Sequence, residues 1–290
     1  MASCNPRTTE SVIFTTTGSD DTGDGTEANP YATIQKGVDI SADGDTVLVH
    51  PGTYEAVNNV NDIFLISTQG PEQTVIDANF QSTTVMLNTG SQNIFISGFT
   101  IVGGICGYNE YYTGSMRTGG GIGVQNDTYN FSSVSISNMI FYDNEIDINL
   151  RYGSSTPVGT AIISNSTFIF DRNFPTIETL THPTTVTNCI FIDGGEGSSY
   201  DISFPENESL TISHSLFFPS LNNLGAHIDG GANIVTNPLF CDSENGNYSL
   251  ASNSPAIGAG EDGSIIGALG VGCDALSLSC LLYTSPSPRD

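Results

Sequence analysis

The sequence predicts an all-β chain wound into a right-handed parallel β-helix from about Thr46 to Ile257. Three observations carry that expectation. A short corner motif recurs at a spacing close to one solenoid coil. Apolar and polar residues alternate on either side of each corner. The composition is poor in charge, at 13 %, and rich in Gly, Ser, Thr and Asn, which suits short strands and tight turns better than helices.

The motif is an apolar residue, Ser or Thr, then Asn, Gly or His, two variable positions and a large apolar residue. It occurs at Ile96-Ser97-Gly98…Ile101, Ile136-Ser137-Asn138…Phe141, Ile163-Ser164-Asn165…Phe168, Val186-Thr187-Asn188…Phe191 and Ile212-Ser213-His214…Phe217. The Ser/Thr positions are separated by 40, 27, 23 and 26 residues. In Val134-Ser135-Ile136-Ser137 the period of two puts Val and Ile on one face. Asn138, Asn165 and Asn188 then break the alternation where a left-handed backbone is needed, so each is expected to be a sharp corner. Stacking the coils sets Ile101, Phe141, Phe168, Phe191 and Phe217 above one another, and the corner Asn side chains can bond along the stack. A leucine-rich repeat of similar length needs Leu at fixed positions, which this chain lacks.

The 40-residue gap corresponds to one coil plus an insertion of about 15 residues, placed within Gly104–Gly121. Less regular coils are read at Thr46–Val49, Ile63–Ile66, Thr74–Asp77 and Thr84–Leu87, and later at Ile234-Val235 and Tyr248–Leu250. About nine coils at ~4.8 Å give a rod of roughly 45 Å. Pro30–Ala42 places Ile34, Val38 and Ser41 on one helical face, with Pro30 near the start, and reads as a helix capping the first coil. The organisation expected is an entry strand and capping helix over 12–45, a β-helix with its terminal coils over 46–273, and a tail over 281–290. That tail, LLYTSPSPRD, departs from the style of the rest and is expected to be non-native, adapter-derived sequence.

The formal charge of −25, from 6 Lys plus Arg against 31 Asp plus Glu, argues against nucleic acid and anionic membranes as partners. No run approaches the ~20 apolar residues of a membrane span. Of the six cysteines, Cys189 falls on an interior repeat position and reads as a small buried thiol. Cys241 and Cys273 flank one C-terminal segment and are candidates to pair in an oxidising compartment, while Cys4, Cys106 and Cys280 have no assigned role.

Two stretches carry a family resemblance. The first is Gly18-Ser19-Asp20-Asp21…Gly23-Asp24-Gly25…Asn29-Pro30-Tyr31-Ala32-Thr33-Ile34-Gln35, followed by Asp43-Gly44-Asp45-Thr46-Val47 and Pro51-Gly52-Thr53-Tyr54. The second comprises Asn237-Pro238-Leu239-Phe240, Tyr248-Ser249-Leu250, Ser254-Pro255-Ala256-Ile257-Gly258-Ala259-Gly260 and Ile266-Gly267-Ala268-Leu269. Over about residues 12–273 the chain resembles pectate-lyase-like right-handed β-helix proteins, particularly bacterial secreted and surface members. The resemblance implies the fold. It does not imply one activity, because the superfamily holds lyases, epimerases, glycosidases, adhesins and surface proteins.

Pectate-type lyases, by that resemblance, use a Lys or Arg base with calcium. The single lysine, Lys36, falls in the expected cap, which leaves Arg117, Arg151 and Arg172 as candidate bases. Arg117 lies in the insertion with Tyr108, Tyr111 and Tyr112, a set able to hold a sugar by stacking and hydrogen bonds, or else an ordinary surface loop. Asp143, Asp171 and Asp193 follow ladder positions, with Glu145 and Asp147 near the first. They are read as an acidic column able to act as acid and base or to bind calcium, or as turn formers. Asp20, Asp21, Asp24 and Glu27 form a Gly-rich acidic loop that is a candidate Ca2+ site, without EF-hand spacing. His50, His182 and His227 are scattered, and His214 is expected to make a structural hydrogen bond at its corner.

The expected function is a monomeric, secreted or cell-surface β-helix domain for adhesion, display or glycan contact, without catalysis. The alternative is a calcium-dependent polysaccharide lyase or another glycan-active enzyme.

Overall fold

The computed structural model describes residues 11–14, 18–88, 93–108, 117–124, 132–150, 159–170, 177–179, 183–193, 210–218 and 228–276. The expected tail over 281–290 lies outside them. The chain winds through three parallel sheets in turn. Sheet 1 stacks nine strands from Ser11–Phe14 to Ile228–Gly231, and sheet 2 stacks eight from Gly52–Glu55 to Ile234–Val235. Sheet 3 stacks five, from Val57–Val60 to Ile177–Thr179. One coil runs Ser133–Ser137, Ile140–Tyr142, Ile148–Leu150 and back to sheet 1 at Thr160–Ser164. This is a parallel β-helix, wound in the right-handed sense that parallel crossovers take.

The corners fall where the motif placed them. Asn138, Asn165, Asn188 and His214 have φ of 53, 48, 54 and 48°, and Gly98 has 88°. Only residues tolerant of the left-handed region occupy this position, so the sequence periodicity reports backbone geometry. The side chains bond along the stack in part. Asn188 Nδ2 donates to Asn165 Oδ1 at 3.2 Å, whereas Asn138 Nδ2 donates to Ser97 Oγ of the coil above. The Nδ1 of His214 is buried with no hydrogen-bond partner among the described residues. What His214 contributes is its left-handed backbone, with its N–H donating to the Gly231 carbonyl.

Three positions past the corner, the ladder forms as expected. Ile76, Ile101, Phe141, Phe168, Phe191 and Phe217 are in register down sheet 2. The Phe rings stack at centroid distances of 4.9, 4.9 and 5.0 Å, within 9° of parallel. Cys189 is fully buried beside the ladder, and burial pushes its thiol pKa up to about 12. Native protein treated with iodoacetamide at pH 8 is therefore expected to leave the Cys189 peptide unmodified by mass spectrometry, and urea-unfolded protein to alkylate it.

The N-terminal cap begins later than the sequence suggested. The helix spans Ile34–Ile40, four residues beyond Pro30, and buries Ile34, Gly37 and Val38 rather than Ser41, which is its C-cap. The start is set by Thr33, whose hydroxyl accepts from Lys36 N, and by Asp20, whose carboxylate accepts from Ala32 N, Thr33 N and Thr33 Oγ1. Gln35 closes the open edge of sheet 3. Its amide donates to Asn58 O at 3.0 Å and accepts from Asn58 N at 2.7 Å, standing in for the peptide of a missing strand.

The C-terminal segment differs from the expected terminal coils. Phe240–Asp242 pairs antiparallel with Asn247–Ala251, which pairs with Val271–Cys273, and a Cys241–Cys273 disulfide spans this small sheet. The chain then lies across the outside of sheet 2, where Leu250, Ala256 and Ile266 bury Ile190 and Leu216. The corner Asn188 anchors it: its Oδ1 accepts from Glu261 N at 2.8 Å and its carbonyl from Gly267 N at 2.8 Å. The physical reason lies in the strands TFIF, IFID and LFF, which are apolar on both faces and require a cover on each side.

Candidate functional site

The insertion within Gly104–Gly121 is a hairpin standing between sheets 2 and 3. Cys106–Tyr108 pairs antiparallel with Arg117–Gly119, which sets Tyr108 directly opposite Arg117. The remaining aromatic candidates, Tyr111 and Tyr112, lie outside the described residues.

The hairpin is held at its root by the turn that follows Tyr142. Asn144 is buried, accepts from Gly104 N at 2.9 Å, and donates both to Ile101 O and to Asp147 Oδ1 at 3.0 Å. Glu145 Oε2 accepts from Cys106 N at 2.7 Å. Thr83 Oγ1 accepts from Gly120 N at 3.3 Å. The run Gly119-Gly120-Gly121 is dictated by crowding. A Cβ on Gly120 would run into the Ile146 carbonyl, and Gly119 and Gly120 have φ of 101 and 121°.

Two members of the acidic set, Glu145 and Asp147, are engaged in architecture. Glu145 and Asp147, which the sequence offered as acid and base, bond the base of the hairpin and the buried Asn144 instead. Asp143 is a corner residue at φ 57° beside Tyr142. Tyr142 has a pKa raised by burial and by the charges of Asp77 and Asp143. Asp193 ends the strand Ile190–Asp193 opposite Phe170, while Asp171 lies outside the described residues. Of the candidate bases, only Arg117 falls on a described strand; Arg151 and Arg172 lie outside.

The outer face of sheet 3 adds two residues that sequence reasoning missed. Met86, Gly123, Asn149 and Glu178 are in register along it. Asn149 is buried, and Glu178 is half-buried one coil below. The signal was available: each is a polar residue inside a short strand, INL and IET, whose first residue is a buried Ile. They share the register of sheet 3 with Ile122–Val124, the strand that follows the hairpin.

The acidic loop near the N-terminus is organised for capping. Asp20 is spent on Ala32 and Thr33; burial raises its pKa, but hydrogen bonds from Thr33 and Ala32 and the Lys36 charge outweigh this and hold it below the usual value. Asp24 accepts from Thr26 N and Oγ1, which lower its pKa. Asp21 and Glu27 are exposed. Among the described residues no three His, Cys, Asp or Glu side chains converge as a metal site. Lys36 is on the cap, 6.0 Å from the Tyr31 ring. No helix among the described residues is long and apolar enough to cross a membrane.

The fold is the one that the resemblance implied. No family model and no curated protein matches the chain. Among solved structures it is similar to a rhamnogalacturonan lyase, at 14 % identity over 72 % of this chain and 68 % of the other, with a TM-score of 0.47. It is also similar to a pectin methylesterase determined with a hexasaccharide, at 13 % identity over 76 % and 71 %, with a TM-score of 0.41. Pectin methylesterase from carrot aligns at 11 % identity over 81 % and 90 %, with a TM-score of 0.34. At these identities and TM-scores the likenesses bear on neither the reaction nor the site.

Proposed function

We propose that this protein is an extracellular β-helix domain that holds a glycan against the hairpin side of the solenoid without turning it over. The single observation that carries this reading is the anchored hairpin. Its base is fixed by Asn144, Glu145 and Thr83, and its outer strand positions pair Tyr108 with Arg117. A Tyr and an Arg at opposed strand positions of a hairpin anchored at its root supply the aromatic and guanidinium chemistry that suits a sugar ring and its hydroxyls. The use of Glu145 and Asp147 as structural acceptors favours binding over acid–base chemistry. The Cys241–Cys273 disulfide supports an oxidising, extracellular location.

The test is a glycan panel read for both retention and products. Wild-type protein is expected to bind a panel member, and a Tyr108→Ala, Arg117→Ala double variant to bind it about tenfold or more weakly, with no product from either. Unsaturated uronates appearing at ultraviolet wavelengths in the presence of calcium would replace this reading with a lyase. Unchanged binding by the folded double variant would remove the hairpin from the site.

A further inference from the structure

We propose that the outer face of sheet 1 is a second docking surface, made for an uncharged polysaccharide lying flat across the coils. Seven consecutive strands of this sheet read TVLV, FLIS, NIFIS, SVSIS, TAIIS, TTVT and LTIS. None of them contains an Asp, Glu, Lys or Arg, in a chain of formal charge −25. Strands of sheets 2 and 3 do carry carboxylates, at Glu55, Asp77 and Glu178.

The face is regular as well as neutral. Its central outward row runs Phe64, Phe95, Ser135, Ile162, Thr185 and Thr211, each opposite the next. Phe64 and Ile162 are 44 % and 46 % exposed, far more than an ordinary strand residue facing a core. The rings of Phe64 and Phe95 lie 5.8 Å apart at 43°. In the neighbouring row Ser137 Oγ donates to Ser97 Oγ at 3.1 Å, which ties two adjacent coils together before anything binds. Seven strands at ~4.8 Å spacing give a strip about 29 Å long, with outward rows about 6.6 Å apart.

Those properties select the occupant. A polyanion finds no counter-charge here and is repelled by the rest of the molecule. A lipid surface needs a continuous apolar patch, whereas Ser135 interrupts the apolar residues of this row and Thr185 and Thr211 continue it beyond Ile162. A neutral polysaccharide matches both parts: its ring C–H faces suit Phe64, Phe95 and Ile162, and its hydroxyls suit Ser135, Thr185 and Thr211. This surface is separate from the hairpin, and its test is separable from that of the hairpin reading.

Depletion from solution by insoluble cellulose and chitin tests it, at 50 mM and 500 mM NaCl. Wild-type protein is expected to be depleted by at least one of the two, equally at both salt concentrations, because no ion pair contributes. Phe64→Ser and Ile162→Lys are expected to weaken this about tenfold or more, with native circular dichroism and a protected Cys189 reporting an intact fold. Thr185→Glu gives a milder change at an exposed hydroxyl and is expected to act in the same direction. The Tyr108→Ala, Arg117→Ala variant is expected to bind these solids like wild type. The proposal is overturned by full depletion of the folded sheet 1 variants, by loss of binding at 500 mM NaCl, or by no depletion of wild type. It is likewise overturned by a dimer in sedimentation velocity that these variants abolish, which would make the face a self-association surface.

Discussion

Replacing Phe168 by Ala is expected to destabilise the protein by about 3–5 kcal/mol. Phe168 has no exposed surface and stacks on two neighbours, Phe141 above and Phe191 below, each at 4.9 Å. Truncation removes the transfer free energy of the ring, leaves a cavity in a column that cannot collapse along the strand axis, and strips both neighbouring rings of a partner. Phe168→Leu keeps much of the volume and is expected to cost markedly less. Because a coil contacts chiefly its neighbours, the damage is expected to spread to the coils on either side rather than to the N-terminal cap. Chemical denaturation checks the magnitude, and hydrogen exchange checks the location. A loss below about 1 kcal/mol for Phe168→Ala would contradict a tightly packed ladder.

Replacing Cys241 and Cys273 by Ser is the second large expected effect, at up to about 4 kcal/mol for a closed loop of this length. The two cysteines are 32 residues apart, and the segment between them covers Ile190 and Leu216 on the outside of sheet 2. Without the cross-link the cover is expected to open before the solenoid does. Its protons, such as Glu261 N and Gly267 N on Asn188, should then exchange faster than those of sheet 1. A variant melting with wild-type protein, with unchanged protection over 240–273, would show that the segment is held by its apolar contacts alone.

The middle of this fold was legible in the sequence because one physical requirement repeats there. Each of these coils needs a left-handed corner and an inward aromatic three positions later, so Asn138, Asn165 and Asn188 announce themselves, as do Phe141, Phe168 and Phe191. The insertion showed as a broken period. Where a requirement occurs only once, the pattern was silent. The helix start depends on Asp20 reaching Thr33 across thirteen residues, which no local rule marks, so Pro30 drew the boundary too early. The C-terminal segment returns to Asn188 over more than seventy residues, and its short strands looked like further coils. At the candidate site Arg117 and Tyr108 were legible as a pair because they share a loop. Asn149 and Glu178 were not, since only the stacking of sheet 3 brings them into one row. Glu145 and Asp147 looked chemical because carboxylate type is visible in sequence and the backbone N–H or amide it satisfies is not.

The most direct measurement is made on one sample: wild-type protein incubated with the panel of neutral and acidic polysaccharides, with bound protein and released saccharide quantified together in the presence of calcium. Retention of protein without release of reducing ends or unsaturated products is the expected result. Sustained release of product, many molecules per protein, would contradict a binding domain and place an enzyme on this scaffold.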